Sequence, residues 1–215
     1  SDRIAQELIK AGGGFVAAPS ANTSGRPSPT MAQHVEEDLD GKIDMILDGG
    51  TVEIGVESTI LDMTVSPPML LRPGAVTKEM LEELIGPIAV DAASISADSS
   101  KPPKAPGMKY RHYAPKADLS IVEGPVELVI EAINGMAAER IAQGYKVGII
   151  GTEESRDRYR QGIVKSIGTR EDEATIASHL YAILREFDHE EVDYIYSESF
   201  ARGGIGNAIM NRLLK

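Results

Sequence analysis

Beyond Asp118 the sequence alternates short apolar runs with helix-length stretches, and nothing else in the chain restricts the fold so strongly. Strands are expected at residues 119–122, 146–151, 163–167 and 192–196. Between and after them the pattern predicts helices at 126–143 and 171–187, a polar helix at 153–161 and a last helix at 205–214. In the 171–187 stretch, Ile176, Leu180, Ile183 and Leu184 recur at helical spacing and face inward. Repeated βα units imply a mostly parallel sheet with helices on both faces, joined by right-handed crossovers. The expected unit is a Rossmann-like three-layer α/β/α domain over 118–215. Gly148 to Gly151 reads GIIG inside a strand and lacks the G-x-G-x-x-G order, so it predicts no dinucleotide site. The glycine-rich run at 202–207 is either a turn needed for geometry or an anion site at a helix N-terminus.

The first ninety residues are less regular. Ile4, Leu8 and Ile9 give a short helical face that stops at three glycines, and residues 15–18 read as a buried strand. Met31, Val35 and Leu39 give a helix that leaves Glu36, Glu37 and Asp38 exposed. Strands are expected at 43–47, 56–63 and 69–72, and Thr77 is placed to cap a helix running to Ile85. Periodicity is lost from residue 91 to 117. The expected organisation is therefore a first domain at 1–91, a linker at 92–117 with a proline-stiffened second half, and a second domain at 118–215. Residues 1–100 carry 6 basic and 16 acidic side chains, 101–117 carry 5 and none, and the remainder carries 11 and 17. A cationic connector thus joins two anionic bodies, as a solvated linker or as a strap over an anionic ligand.

The net charge of −11 argues against broad binding to a phosphate backbone. The chain has no cysteine, which excludes disulfides, thiolate zinc sites and a cysteine nucleophile. No apolar run approaches a membrane span, and no presequence is expected at Ser1, so the expected location is cytoplasmic. His34, His112, His179 and His189 are not spaced as a metal site. One stretch is dense in ligand-binding chemistry: residues 17–30, AAPSANTSGRPSPT, combine hydroxyls, an amide and a cation with three prolines that stiffen the loop. Such a loop is an ordinary turn or a presenter of hydroxyls and N–H groups to a ligand. No general base is near its serines in sequence and G-x-S-x-G is absent, so a nucleophilic serine is not indicated.

The wording of the loop and of later stretches is more specific than its composition. PSAN-x-SG-x-PSPT is followed by DGG at 48–50, GVEST at 55–59 and LRPG at 71–74. In that order they closely resemble the threonylcarbamoyl-AMP synthase family, and PGMKYRHYAP at 106–115 extends the resemblance to its two-domain members. The resemblance implies that residues 1–91 are the C-terminal half of a YrdC-like catalytic domain. The family's first half, with its lysine and arginine substrate cluster, has no counterpart here, so the isolated chain is expected to be inactive. The implied reaction joins L-threonine, bicarbonate and ATP into threonylcarbamoyl-AMP and diphosphate, with magnesium accompanying ATP. The product feeds tRNA modification, which makes tRNA a downstream beneficiary. Carried onto this sequence, the resemblance implies nucleotide contacts by Ser20 and Ser28, with Asn22 in the same loop. Arg72 would meet the phosphates, and Tyr113 would reach back over the nucleotide. Ala18, through its backbone, and Ser58 would hold threonine. Two other classes share the YrdC-like fold. One is an RNA-binding module, against which the acidic balance speaks. The other is a hydrogenase-maturation carbamoyltransferase, whose zinc-finger cysteines are missing here.

Overall fold

The computed structural model describes residues 2–91 and 114–214. Two sheets organise them. The smaller runs β1 (Ile60–Asp62), β2 (Met69–Arg72), β3 (Ala89–Val90), with β1 and β2 antiparallel and β2 and β3 parallel. It is accompanied by α1 (Arg3–Ala11), α2 (Ala32–Leu39) and α3 (Lys78–Ile85). Thr77 caps α3 as expected, its hydroxyl accepting the Met80 N–H at 3.3 Å.

The larger sheet contains β4 (Asp118–Val122), β5 (Val147–Gly151), β6 (Ile163–Ser166) and β7 (Tyr194–Glu198) in the order β4-β7-β5-β6, every pair parallel. Side chains alternate between its faces, as the strand period of two requires. Val147 and Ile149 pack with Val129, Ile133 and Ala137 of α4 (Val126–Ala142). Ile150 and Ile195 pack on the other face with Ile176, Leu180, Leu184 and Phe187 of α5 (Glu173–His189), joined by α6 (Gly206–Leu213). Helices therefore cover both faces, and the parallel α/β reading of this half holds. Only one turn of 3₁₀ helix, Arg156–Arg158, forms where a polar helix was expected. That segment is polar on every side and offers no apolar stripe to bury.

Helix α5 is buried on both its faces, including Tyr181, Arg185 and Asp188. One face lies on the larger sheet; the other meets the smaller-sheet half, whose Val56 joins the same apolar cluster. Gly55 makes the approach possible. A Cβ there would fall 2.3 Å from the Ala177 carbonyl oxygen, so any larger residue would push the two halves apart.

Four expectations fail in the first half. Residues 15–18 and 43–47 form no strand: they run as coil, with Phe15 85% and Met45 73% exposed. Among the described residues no strand pairs with either, and an unpaired strand has nowhere to spend its backbone groups. Of the expected strand at 56–63, residues 60–62 alone enter the sheet, because 55–59 turn to meet α5 and Arg72. Asp38, placed on the solvent side of its helix by the sequence, is 3% exposed. Of the expected linker, residues 92–113 lie outside the described residues. Residues 114–117 are anchored: Ala117 is buried, and the Lys116 N–H donates to Asp188 at 2.7 Å.

Candidate functional site

The GVEST and LRPG stretches cross each other closely. A Cβ on Gly74 would lie 2.4 Å from the Glu57 carbonyl oxygen and 2.5 Å from the Thr59 nitrogen, which explains a glycine at that position. Opposite Ile60 in the β1–β2 register, Arg72 turns back along the crossing. It donates from Nε to the Ser58 carbonyl at 2.9 Å and from Nη2 to the Ser58 hydroxyl at 3.2 Å. Arg72 is 9% exposed, so it is not a surface cation, while Ser58 is exposed.

The loop before α2 is shaped from within. Asn22 donates its amide to the carbonyls of Thr23 (3.0 Å) and Arg26 (3.3 Å). The buried Asp38 carboxylate accepts the Thr23 N–H at 3.1 Å and pairs with Arg26. Burial raises the affinity of the Asp38 carboxyl for a proton. The hydrogen bonds from Arg185 and Thr23 and the charge of Arg26 outweigh it and hold the group below its ordinary value. At the loop's end the Thr30 N–H donates to His34 Nδ1 at 3.2 Å. Burial, and then the Arg185 charge, push His34 below its ordinary value.

Glu57 joins the two parts. Its Oε1 accepts the Ser28 hydroxyl at 3.3 Å, which places Ser28 beside the residue that precedes Ser58. The structure thus brings Ser28, Ser58 and Arg72 together. Ala18 and Ser20 lie exposed on the coil leading into the loop, and Asn22 is engaged inside it. Tyr113 lies outside the described residues. Reading the residues in sequence missed Glu57, Asp38 and three side chains that reach them from beyond residue 118: Tyr181, Arg185 and Arg212. Glu57 stands inside a motif already singled out; the others carried no local signal.

A second concavity, of about 340 Å³, opens at the carboxyl ends of β4, β5 and β7, where parallel α/β sheets commonly hold ligands. Its polar groups pair with one another. The fully buried Glu198 accepts from Ser155, from Tyr159 at 2.7 Å and from Arg170 at 2.5 Å. Burial opposes ionisation of Glu154, yet hydrogen bonds from Thr169, Thr152 and the backbone prevail and lower its pKa to about 2. Arg202, from the glycine-rich run, pairs with Glu123 at 2.8 Å, and Gly206 is packed against the Ala201 carbonyl. Among the described residues no group of three or more His, Asp or Glu side chains is placed to hold a metal. No described helix is long and apolar enough to cross a membrane.

A hydroxyl-bearing loop and an exposed serine held by a buried arginine stand beside a parallel βα sheet, and the whole is an α/β protein. The chain belongs to the threonylcarbamoyl-AMP synthase family, whose C-terminal domain model matches residues 76–215. A second family model, described as telomere recombination, matches residues 1–74. The chain is 50% identical over 212 residues to threonylcarbamoyl-AMP synthase of Bacillus subtilis, and 46% identical to that of Pyrococcus abyssi. Each alignment covers 99% of this chain and 60% of the relative, so the chain spans about three fifths of their length. It also superposes on the crystal structure of P. abyssi Sua5 complexed with L-threonine, with a TM-score of 0.88 and 43% identity. That match covers 99% of this chain and 61% of the other.

Proposed function

We propose that this chain forms part of a threonylcarbamoyl-AMP synthase, a nucleotidyltransferase that makes threonylcarbamoyl-AMP and diphosphate from L-threonine, bicarbonate and ATP. The observation that carries the reading is the crossing of two motifs at Gly74, which sets a buried arginine on an exposed serine. Half-identity to a named synthase along nearly the whole chain supports it. In the proposed chemistry the threonine amine takes up bicarbonate as a carbamate with loss of water. A carbamate oxygen then attacks the α-phosphorus, and diphosphate leaves. Such a reaction needs positioning and charge neutralisation rather than a protein nucleophile.

In this reading Ser58 and the Ala18 backbone hold threonine. Ser20 and Ser28 contact the nucleotide, Arg72 neutralises phosphate charge, and Tyr113 closes from the linker. Asn22 acts on the nucleotide through the loop, because its amide protons are spent on Thr23 and Arg26. Magnesium would enter on the triphosphate, held largely by phosphate and water oxygens. Domains at 1–91 and 118–215 joined by a linker at 92–117 fit the two sheets. A cytoplasmic setting, with tRNA served downstream through the product, fits a consumer of ATP that supplies RNA modification. An RNA-binding module is not favoured, given a net charge of −11. The test is diphosphate release by the product of the complete reading frame. It should require ATP, L-threonine and bicarbonate together, and release independent of threonine would overturn the reading.

A further inference from the structure

The proposed substrate shelf is not held by its own half of the molecule alone. Two buried polar contacts tie it to two helices far along the chain, α5 and α6. Arg185 of α5, fully buried, donates to the Asp38 carboxylate at 2.9 and 3.2 Å and to the Pro27 carbonyl at 2.5 and 3.0 Å. Asp38 in turn holds Thr23 and Arg26, so a single guanidinium fixes both ends of the bend that carries Ser24 and leads into Ser28. The second contact is at Glu57. Tyr181, one helical turn before Arg185 on α5, donates its hydroxyl to Oε1 at 2.6 Å, and Arg212 of α6 approaches Oε2 at 2.7 Å. Glu57 also accepts Ser28 and directly precedes Ser58.

Tyr181 and Arg185 lie at i and i+4 and so share the face of α5 turned from the sheet. Residues that served packing alone would be apolar at this depth. Here an arginine and a tyrosine are spent on a carboxylate each, and both carboxylates lead to the serines of the proposed site. We infer that Tyr181, Arg185 and Arg212 are positioning residues, through which the second sheet's helices set the geometry of the loop at 20–30 and the turn at 55–59. They act through Asp38 and Glu57 and touch no substrate. The inference deepens the proposed function and rests on it for the identity of the ligands.

The experiment uses the product of the complete reading frame in three variants, Tyr181→Phe, Arg185→Lys and Arg185→Met. L-threonine and ATP affinities are read by calorimetry, melting temperature by circular dichroism, and backbone protection by amide exchange at 20–30 and 55–59. Tyr181→Phe keeps the ring and its packing. It should weaken threonine about fivefold, raise exchange at 55–59 and leave the melting temperature nearly unchanged. Arg185→Met should weaken ATP by about tenfold or more and release residues 20–30, with partial recovery in Arg185→Lys. Unchanged affinities and exchange in Tyr181→Phe, with Arg185→Met lowering the melting temperature alone, would overturn the inference and leave a structural contact. If the unaltered product of the complete reading frame binds neither threonine nor ATP, the functional reading is what fails. The exchange at 20–30 and 55–59 then still decides whether α5 orders these segments.

Discussion

Ser58 and Arg72 behave as one unit, because the arginine holds both the carbonyl and the hydroxyl of the serine. Treated as separate contacts, Ser58→Ala would affect threonine and Arg72→Ala the nucleotide. The geometry instead predicts that Arg72→Ala damages both, since it also frees Ser58. Ser58→Ala should cost roughly 0.5–1.5 kcal/mol of threonine binding and Arg72→Ala about 1.5–3 kcal/mol. A double-mutant cycle on threonine affinity should show coupling of about 0.5 kcal/mol or more, and strict additivity would separate their roles. His34 makes stability depend on pH. Its folded pKa is lowered, so the unfolded chain binds the proton more readily, and stability falls as pH drops through 6.5. Protonation at Nδ1 would also break the bond from Thr30. Urea denaturation at pH 7.5 and pH 5 should show this loss. His34→Gln, which keeps an acceptor without titrating, should shrink the difference.

At the level of elements, the ends of β5 and β7 are locked by Glu198 rather than by loop length. Ser155, Tyr159 and Arg170 all converge on it, and burial followed by the Glu198 contact raises the Tyr159 hydroxyl well above its ordinary pKa. Glu198→Ala leaves a buried tyrosine hydroxyl and a half-exposed guanidinium without their acceptor. It should cost about 2–3 kcal/mol in chemical denaturation, against about 1 kcal/mol for Tyr159→Phe. Elements that bury their own apolar face were legible in the sequence: β4 to β7, α4 and α5 could each be read from spacing alone. Elements that depend on a distant partner were not. Residues 15–18 and 43–47 have strand composition, yet among the described residues nothing pairs with them. The site divided in the same way. Ser28, Ser58 and Arg72 stood in quoted motifs. Asp38 looked like one of three surface acids until Arg185, 147 residues away, was seen to claim it.

Across the whole molecule the apolar interior is unevenly shared. Among residues 2–91 the buried apolar side chains are Val56, Leu70 and Ile88, and Val56 packs into the cluster of the other half. Residues 117–213 supply nearly all the rest. A fragment from 114 to the C-terminus should therefore melt cooperatively. A fragment of residues 1–91 should show no cooperative transition and should bind a hydrophobic dye, given exposed Phe15, Met45 and Leu84. A cooperative melt of the shorter fragment would contradict this accounting. Gly55, with no room for a methyl group against the Ala177 carbonyl, carries the same dependence in the other direction. Free-energy coupling between two sites is reciprocal: whatever α5 does to order the shelf, an occupant of the shelf must do for α5. Saturating ligand should thus slow hydrogen exchange in the middle turns of α5, where no ligand reaches. The helix becomes a remote gauge of occupancy, and Gly55→Ala should uncouple the gauge from the event it records.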